Sequence, residues 1–130
     1  MSHDFKLFPE LTNNQMQFYY FESPHRQILE DFWGTVVKVT DGDTVHIKWK
    51  DRDKPVVVRF TGTAAPELNE IGGFESRNWL EKQIMGNYVR VEIDPDLRVG
   101  KWGRILGRIF DMGIDINQAS IDNGMAGEFE

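Results

Sequence analysis

The sequence predicts a mainly β fold with helices (α+β), and three observations indicate it. From Gly34 onward, "TVVKVTDGDTVHIKW" places two strand-like runs around an Asp-Gly turn, which is a strong hairpin signal. "PVVVRFTG" supplies a third strand-like run, and "NYVRVEID" and "RILGRIF" supply a fourth and a fifth. Five short strands accompanied by helices favour a small closed barrel, for which an OB-type topology is the leading candidate.

Two helices are expected within this barrel domain. "ESRNWLEKQIMG" follows the third strand after a loop at 62–74, has apolar residues at helical spacing, and reaches Gly86 where a helix would end. "DINQASIDNG" opens with Asp115 and Gln118 at capping-box spacing, which predicts a short C-terminal helix that stops at Gly124.

Residues 1–33 are predicted to form an N-terminal helical arm, separate from the barrel domain at 34–130. Thr12 and Gln15 have capping-box spacing at the start of one short helix, and Ser23 with Pro24 fits the start of a second. Half of the chain's aromatic side chains lie in this arm, namely Phe5, Phe8, Phe18, Tyr19, Tyr20, Phe21, Phe32 and Trp33. Two interpretations remain open, since the arm either folds onto its own barrel or docks on another copy or another protein.

Composition limits the classes of function. A chain of 130 residues suits one domain, and it has no apolar run of the roughly 20 residues that a membrane span needs. The first residues lack the basic and apolar pattern of a signal peptide, so we expect a soluble, intracellular or virion-associated protein without a membrane partner. The absence of cysteine excludes disulfides and thiolate metal sites. A net charge of -6 disfavours nucleic-acid binding through bulk electrostatics, so such binding must come from a local cluster.

Charged residues enter the apolar strands at positions that require partners. Asp43 lies at the end of a core-facing row of alternating residues, where a carboxylate needs a cation or a metal to offset its desolvation. Arg59 ends "VVVR" and Arg104 begins "RILGRIF", and a guanidinium in such a run pairs with a carboxylate or with a bound anion. Arg108 lies on the face of Arg104 if the strand is regular, as a second anion contact or as a surface charge.

These motifs, in this order, resemble the micrococcal (staphylococcal) nuclease family. The resemblance runs from about residue 34 to residue 126 and includes "VVKVTDGDTVHI", "VVVRFTGTAAPE", "KWGRILGRIF" and "INQASIDNGMA". It implies a five-stranded OB-type barrel, a Ca²⁺ site at the barrel mouth, and hydrolysis of the phosphodiester bonds of DNA or RNA. For protein partners, two alternatives stay open: the arm binds either a second copy of this chain or another protein.

The resemblance also implies a role for individual residues. Asp43 and the backbone carbonyl of Ala65 would bind calcium, whose preferred ligands are oxygens. As catalytic residues, Arg59 and Arg104 would neutralise charge on the phosphate, and Glu67 would orient or deprotonate the attacking water. Lys101 and Trp102 would bind substrate, with Trp102 at a position where the family usually has tyrosine.

Ala64 is the main departure from the family. At this position the family has an aspartate, which is the second carboxylate that binds calcium. Because a methyl group cannot coordinate a cation, we predict a weakened or empty metal site. The chain also ends at Glu130, so we expect the family's last helix and its substrate-stacking tyrosines to be missing, and it is acidic where the best-known relatives are basic.

Three hypotheses follow from Ala64. In the first, the alanine is an introduced substitution that disables a nuclease. In the second, the chain is a naturally inactive module that binds nucleic acid or a protein within a larger assembly, such as that of a phage or mobile element. In the third, the enzyme uses another ligand, such as Asp41 or Glu70.

Overall fold

A closed five-stranded β-barrel lies at the centre of the computed structural model, which describes residues 2–129. The fold class predicted from the sequence, a mainly β protein with helices and an OB-type barrel, is therefore confirmed. The strands are β1 (Phe32–Asp41), β2 (Thr44–Lys48), β3 (Val56–Phe60), β4 (Thr63–Ala64), β5 (Tyr88–Glu92), β6 (Ile105–Asp111), β7 (Ile114–Asp115) and β8 (Gly127–Glu128). The helices are α1 (Asn13–Tyr19), α2 (Gly73–Ile84) and α3 (Ile116–Asp122), and a 3-10 helix spans Tyr20–Glu22.

The barrel closes through one parallel strand pair. β1, β2 and β3 form an antiparallel meander, and β5 pairs antiparallel with both β1 and β6. β6 then lies parallel to β3, with Arg59 opposite Leu106, so that all five strands form a closed ring. This seam joins two segments that the chain separates by helix α2 and strand β5.

Alternation along the strands divides an apolar interior from a polar exterior. Val45, Ile47, Val58, Ile105 and Ile109 are fully buried inside the barrel. Residues between them point outward, as the two-residue period of a strand requires. Helix α2 covers β1 and adds Leu80 and Ile84 to the same core.

The two helices of the barrel domain form where the sequence predicts them. α2 begins two residues before the expected Glu75 and ends just before Gly86, whose φ is +82°. At the start of α3 the Asp115 carboxylate accepts the backbone N–H of Gln118 at 3.0 Å. The Gln118 side chain donates to Asp122 at 2.9 Å, so only half of the expected capping box forms.

The arm contains one of the two predicted helices. Helix α1 has the expected capping box, in which Thr12 accepts from the backbone of Gln15 and the Gln15 side chain accepts from the backbone of Thr12. The prediction of a second helix from Ser23 and Pro24 onward is wrong, because residues 23–31 have no helical structure. Side chains of the barrel domain occupy the carbonyl groups of Arg26 and Ile28, which such a helix would need for its own hydrogen bonds.

Two buried arginines of the barrel domain hold the arm. Arg52 donates to the carbonyl of Arg26 at 3.1 Å and forms a two-pronged ion pair with Glu10 at 2.5 and 3.1 Å. Arg98 donates to the carbonyls of Ile28 at 2.6 Å and Leu11 at 3.1 Å. The arm therefore packs on its own barrel at these positions, while its division from the barrel as a separate domain remains a prediction.

No helix between residues 2 and 129 has the length and apolar character needed to cross a lipid bilayer.

Candidate active site

Asp43 lies in the tight turn between β1 and β2, with its carboxylate buried at the end of the barrel. One carboxylate oxygen accepts the backbone N–H of Ala65 at 2.9 Å and lies 3.2 Å from the guanidinium of Arg59. The other oxygen accepts the hydroxyl of Thr44 at 3.2 Å. The structure thus brings together Asp43, Arg59 and the 64–65 loop, three elements that the sequence analysis assigned to one site.

The charge state of Asp43 is perturbed by its surroundings. The pKa of Asp43 is raised from 3.8 to about 6, mainly by burial and in addition by a hydrogen bond with the neighbouring Asp41 carboxyl and by its charge. The Ala65 N–H and the Arg59 guanidinium act in the opposite direction but do not cancel this rise. Asp41 itself is only partly buried, so the turn places one half-buried carboxyl group beside one buried carboxyl group.

Arg59 is held by the strand end from which it projects. Besides its ion pair with Asp43, its guanidinium donates to the carbonyls of Phe60 and Thr63, both at 3.0 Å. Through these hydrogen bonds the loop after β3 folds around the arginine side chain. Its side chain is 20% exposed, so one edge of the guanidinium remains accessible to a ligand.

A close approach at Gly42 fixes the turn against the loop. A Cβ at this position would collide with the hydroxyl of Ser76 in α2 and lie 2.7 Å from the Cβ of Ala65. Only glycine permits three segments of chain to meet so closely. The turn therefore presents Asp43 to the Ala65 N–H in a fixed position.

Ala64 lies in a short strand rather than a free loop. β4 pairs with β8, with Ala64 opposite Gly127, and the N–H of Phe129 donates to the Gly62 carbonyl at 3.0 Å. This pairing fixes the backbone of Ala64 next to Ala65 and hence beside Asp43. A longer side chain at position 64 would therefore start from a defined place at the site.

Glu67 lies on the exposed rim of the site. Its backbone N–H donates to the carboxylate of Glu70 at 2.7 Å, and its carbonyl accepts the N–H of Glu70 at 2.9 Å. Among residues 2–129 its own carboxylate has no hydrogen bond or ion pair, so the structure does not join it to Asp43 or Arg59.

Arg104 and Arg59 share the outer face of the β3–β6 seam. Arg59 lies opposite Leu106, and Ile105, Gly107 and Ile109 point inward, so alternation places Arg104 outward with Leu106. Within the described part of the chain, the Arg104 guanidinium makes no ion pair and no hydrogen bond, which leaves its donors available to an anion.

The turn before Arg104 carries the other substrate-binding candidates. Trp102 is 68% exposed, and the Lys101 ammonium lies 5.3 Å from the centre of its ring. Arg108, the remaining candidate on this face, forms an ion pair with Asp115 at 2.7 Å. Arg108 was expected to be either a second anion contact or a surface charge, and the structure instead pairs it with a carboxylate.

Asp41 and Asp43 bring two carboxyl groups to this turn, and carboxylate oxygens are the ligands that calcium and magnesium prefer. Between residues 2 and 129, however, no group of three or more His, Asp or Glu side chains is placed to hold a metal ion. Affinity for calcium grows with the number of charged ligands, and Ala64 occupies a position that could add one.

Two contributors to this region were missed as members of the main site. Asp41 was predicted only as an alternative ligand, although its position two residues before Asp43 in a hairpin turn indicates that the two carboxyl groups lie close together. Ser76 lies buried beneath the site with no hydrogen-bond partner for its hydroxyl among the described residues. No pattern in the sequence marks Ser76.

Two proteins named as endonucleases are similar in sequence to this chain. An "Uncharacterized endonuclease" from Escherichia coli is 32% identical over 101 residues, which cover 77% of this chain and 63% of that protein. A protein of the same name from Escherichia coli O157:H7 is 31% identical, with the same coverage. An uncharacterized protein from Bacillus anthracis is 30% identical over 100 residues, covering 74% of this chain and 47% of that protein. No protein-family model matches the chain.

The chain spans 63% of the length of the two proteins named as endonucleases. Fold, site and comparison together describe an OB-like barrel that gathers Asp43, Arg59 and the Ala64–Ala65 strand end at one rim, in a chain similar to proteins that carry the name endonuclease.

Proposed function

We propose that this chain has the catalytic scaffold of a nuclease of the micrococcal nuclease type, which hydrolyses phosphodiester bonds of DNA or RNA with a calcium ion, and that Ala64 suppresses its activity. The observation that carries the proposal is the junction of Asp43, Arg59 and the Ala65 N–H at one end of the barrel. The names of the two Escherichia coli relatives support the same reaction class.

Asp41, Asp43 and the backbone carbonyl of Ala65 would hold the cation, which supplies Lewis-acid polarisation of a phosphate oxygen when bound. Arg59 and Arg104 project from one face of the β3–β6 seam and offer planar forked donors to the other phosphate oxygens. Both guanidinium groups would stabilise the additional negative charge that the phosphate oxygens carry when the phosphorus becomes five-coordinate. Lys101 and Trp102 would hold the flanking nucleotide by charge and by stacking.

Glu67 would orient or deprotonate the attacking water. Its carboxylate is exposed on the rim, so it can reach substrate only from the solvent side of the site. General-base candidates often approach their proton only in the substrate complex, which makes the described position compatible with that role. Base identity plays no part in these contacts, because phosphate and metal ligands carry no sequence information.

Ala64→Asp tests the proposal. The paired backbone of β4 would project the new carboxylate from a fixed position beside Asp43. Cleavage of labelled single-stranded DNA, double-stranded DNA and RNA is compared in calcium and in chelator. We expect Ala64→Asp to cut in calcium about a hundredfold faster than the present chain, since loss of one preorganised electrostatic partner costs a factor of that order.

Ala64→Asn serves as the matched control, because it has the same shape without the charge. Cleavage by Ala64→Asp that chelator abolishes, together with little cleavage by Ala64→Asn, supports a metal ligand at position 64. If Ala64→Asp remains silent on all three polymers, the proposed hydrolysis is wrong.

A module that binds without cleaving is the second candidate. It is favoured by the lack of a group of three or more potential metal ligands in residues 2–129 and by the exposed Trp102 beside Lys101. This candidate predicts that the present chain binds labelled oligonucleotide or a protein partner while every variant at position 64 stays inactive.

A further inference from the structure

The N-terminal arm contacts the segment that carries the proposed phosphate-binding residues. This segment, residues 98–106, is a narrow hairpin, which we call the phosphate loop. Its two sides are joined by the N–H of Leu106 donating to the Arg98 carbonyl and by the N–H of Gly100 donating to the Arg104 carbonyl, both at 2.9 Å. Lys101, Trp102 and Arg104 lie at or beside its tip.

The arm clamps the base of the phosphate loop. Arg98 is 3% exposed and donates to the carbonyls of Ile28 and Leu11 and to the side chain of Asn13 at 2.9 Å. The Asn13 side-chain amide also donates to the carbonyl of Pro95 at 3.0 Å, just before the loop. Three hydrogen bonds from Arg98 therefore tie one side of this hairpin to the arm, and a fourth ties the arm to Pro95, just before the hairpin.

Phe8 of the arm covers the tip of the phosphate loop. Gly103 has φ of +80°, and a Cβ at this position would lie 2.9 Å from Cδ1 of Phe8. The ring therefore lies directly on the glycine, and a Cβ at this position would force the ring to shift. Gly103 immediately precedes Arg104, so the contact restrains the backbone from which the arginine projects.

Phe8 is itself held in place by a local turn. Its N–H donates to the Asp4 carbonyl at 2.9 Å, and its carbonyl contacts the His3 ring nitrogen at 2.6 Å. The Asp4 carboxylate accepts the N–H groups of Lys6 and Leu7 at 3.1 Å each. This turn presents the ring to the phosphate loop as a preformed support.

We infer that Phe8 is a positioning residue for nucleic-acid binding, through which the arm holds the phosphate loop in the conformation that presents Lys101, Trp102 and Arg104 to a phosphate backbone. The inference rests on the proposed function, because it assumes that these three residues meet nucleic acid. Phe21, an exposed aromatic residue elsewhere in the arm, serves as the comparison for Phe8.

Three variants test the inference. Phe8→Ala removes the support; because Phe8 is 42% exposed, the barrel is expected to keep its fold. Phe8→Tyr keeps the ring on Gly103, and Phe21→Ala removes an equal side chain that is 98% exposed on the same arm. Each is compared with the parent for amide hydrogen exchange, for affinity toward a fluorescein-labelled single-stranded DNA oligonucleotide, and, with Ala64→Asp added, for KM and kcat.

In Phe8→Ala, we expect exchange at the Gly103 N–H, which donates to the Gly100 carbonyl at 2.9 Å, to rise about tenfold while core amides of β2 stay unchanged. We expect oligonucleotide affinity to fall severalfold, KM to rise accordingly, Phe8→Tyr to restore both, and Phe21→Ala to match the parent. The inference is overturned by unchanged Gly103 exchange, by faster exchange with unchanged affinity, by an equal effect of Phe21→Ala, or by a parent chain that does not bind the oligonucleotide.

Failure of the proposed hydrolysis can be distinguished from failure of the role of Phe8. The first would appear as an inactive Ala64→Asp variant. Hydrogen exchange and oligonucleotide affinity are measured on the chain without that substitution, so they test the role of Phe8 without any cleavage.

Discussion

Loss of the buried Glu10–Arg52 ion pair should destabilise the whole protein, because this pair joins the arm to the barrel. The two side chains are only 3% and 6% exposed, and they contact each other through two hydrogen bonds at 2.5 and 3.1 Å. Arg52 also donates to the Arg26 carbonyl and lies 5.9 Å from the ring centre of Trp49. Removal of either partner leaves the other charge buried without compensation.

The expected cost is about 3 to 5 kcal/mol in the free energy of unfolding for Glu10→Gln or Arg52→Met, the range measured when one member of a buried pair is removed. For a domain of this size, a loss of about 3 kcal/mol lowers Tm by roughly 10 °C. The double variant Glu10→Leu/Arg52→Met should recover part of the loss, since no isolated charge remains. Unfolding in urea, followed by tryptophan fluorescence, measures all three changes.

The exposed pair between Arg26 and Glu30 is the matched control. Its side chains are 60% and 78% exposed and lie 3.6 Å apart, so Glu30→Gln should change the free energy of unfolding by about 0.5 kcal/mol or less. If Glu10→Gln costs no more than Glu30→Gln, the pair is not the attachment of the arm. A buried ion pair between the arm and the barrel should make the two unfold as one cooperative unit. A separate unfolding transition for the arm would therefore refute the reasoning as well.

Three further predictions concern the site and its support. The pKa of Asp43 is raised, mainly by burial, from 3.8 to about 6, so the stability that this one carboxyl contributes is present in full below pH 3.8 and falls by about 3 kcal/mol as pH rises through 6. Asp43→Asn should remove this contribution from a chelator-containing pH series of urea unfolding, and an unchanged slope would contradict the burial of the carboxyl. Asn117→Ala should cost about 3 kcal/mol in urea unfolding, because the fully buried amide joins the Thr61 carbonyl at 2.7 Å and the Ile109 N–H at 3.0 Å, whereas exposed Asn123→Ala should cost about 1 kcal/mol or less. Arg104→Ala should reduce the slope of log affinity for oligonucleotide against log salt by about 1, and Arg26→Ala should leave it unchanged; equal slopes would remove Arg104 from the phosphate contacts.

The strands of the barrel were predictable because local signals and global packing agree. In β3, and in β2 from Val45 onward, the two-residue alternation matches burial, and the Asp-Gly turn forms where the sequence predicts it. The expected helix after Ser23 failed for the opposite reason, since Arg52 and Arg98 bind the carbonyls of Arg26 and Ile28 from distant parts of the chain. Local capping signals cannot reveal such competition.

The candidate site was predictable in its chemistry but only partly in its geometry. A buried aspartate and an arginine in apolar runs require partners, and Asp43 and Arg59 proved to be partners of each other. The shared face of Arg59 and Arg104 depends on the register between β3 and β6, which no local pattern specifies. The contact of Phe8 with Gly103 depends in addition on the path of the arm over the surface.

The parallel seam between β3 and β6 has a consequence for the order of assembly. The β1–β2–β3 meander contains neighbours in sequence and needs only short loops to close, whereas the seam must wait until the chain has returned through α2 and β5. Arg59 and Arg104 come to the same seam only at this last step, so a chain arrested before closure would have only one of the two proposed phosphate-binding arginines in place. Occupancy by a polyanion would then slow reopening of the seam and make the final stage of folding sensitive to ligand.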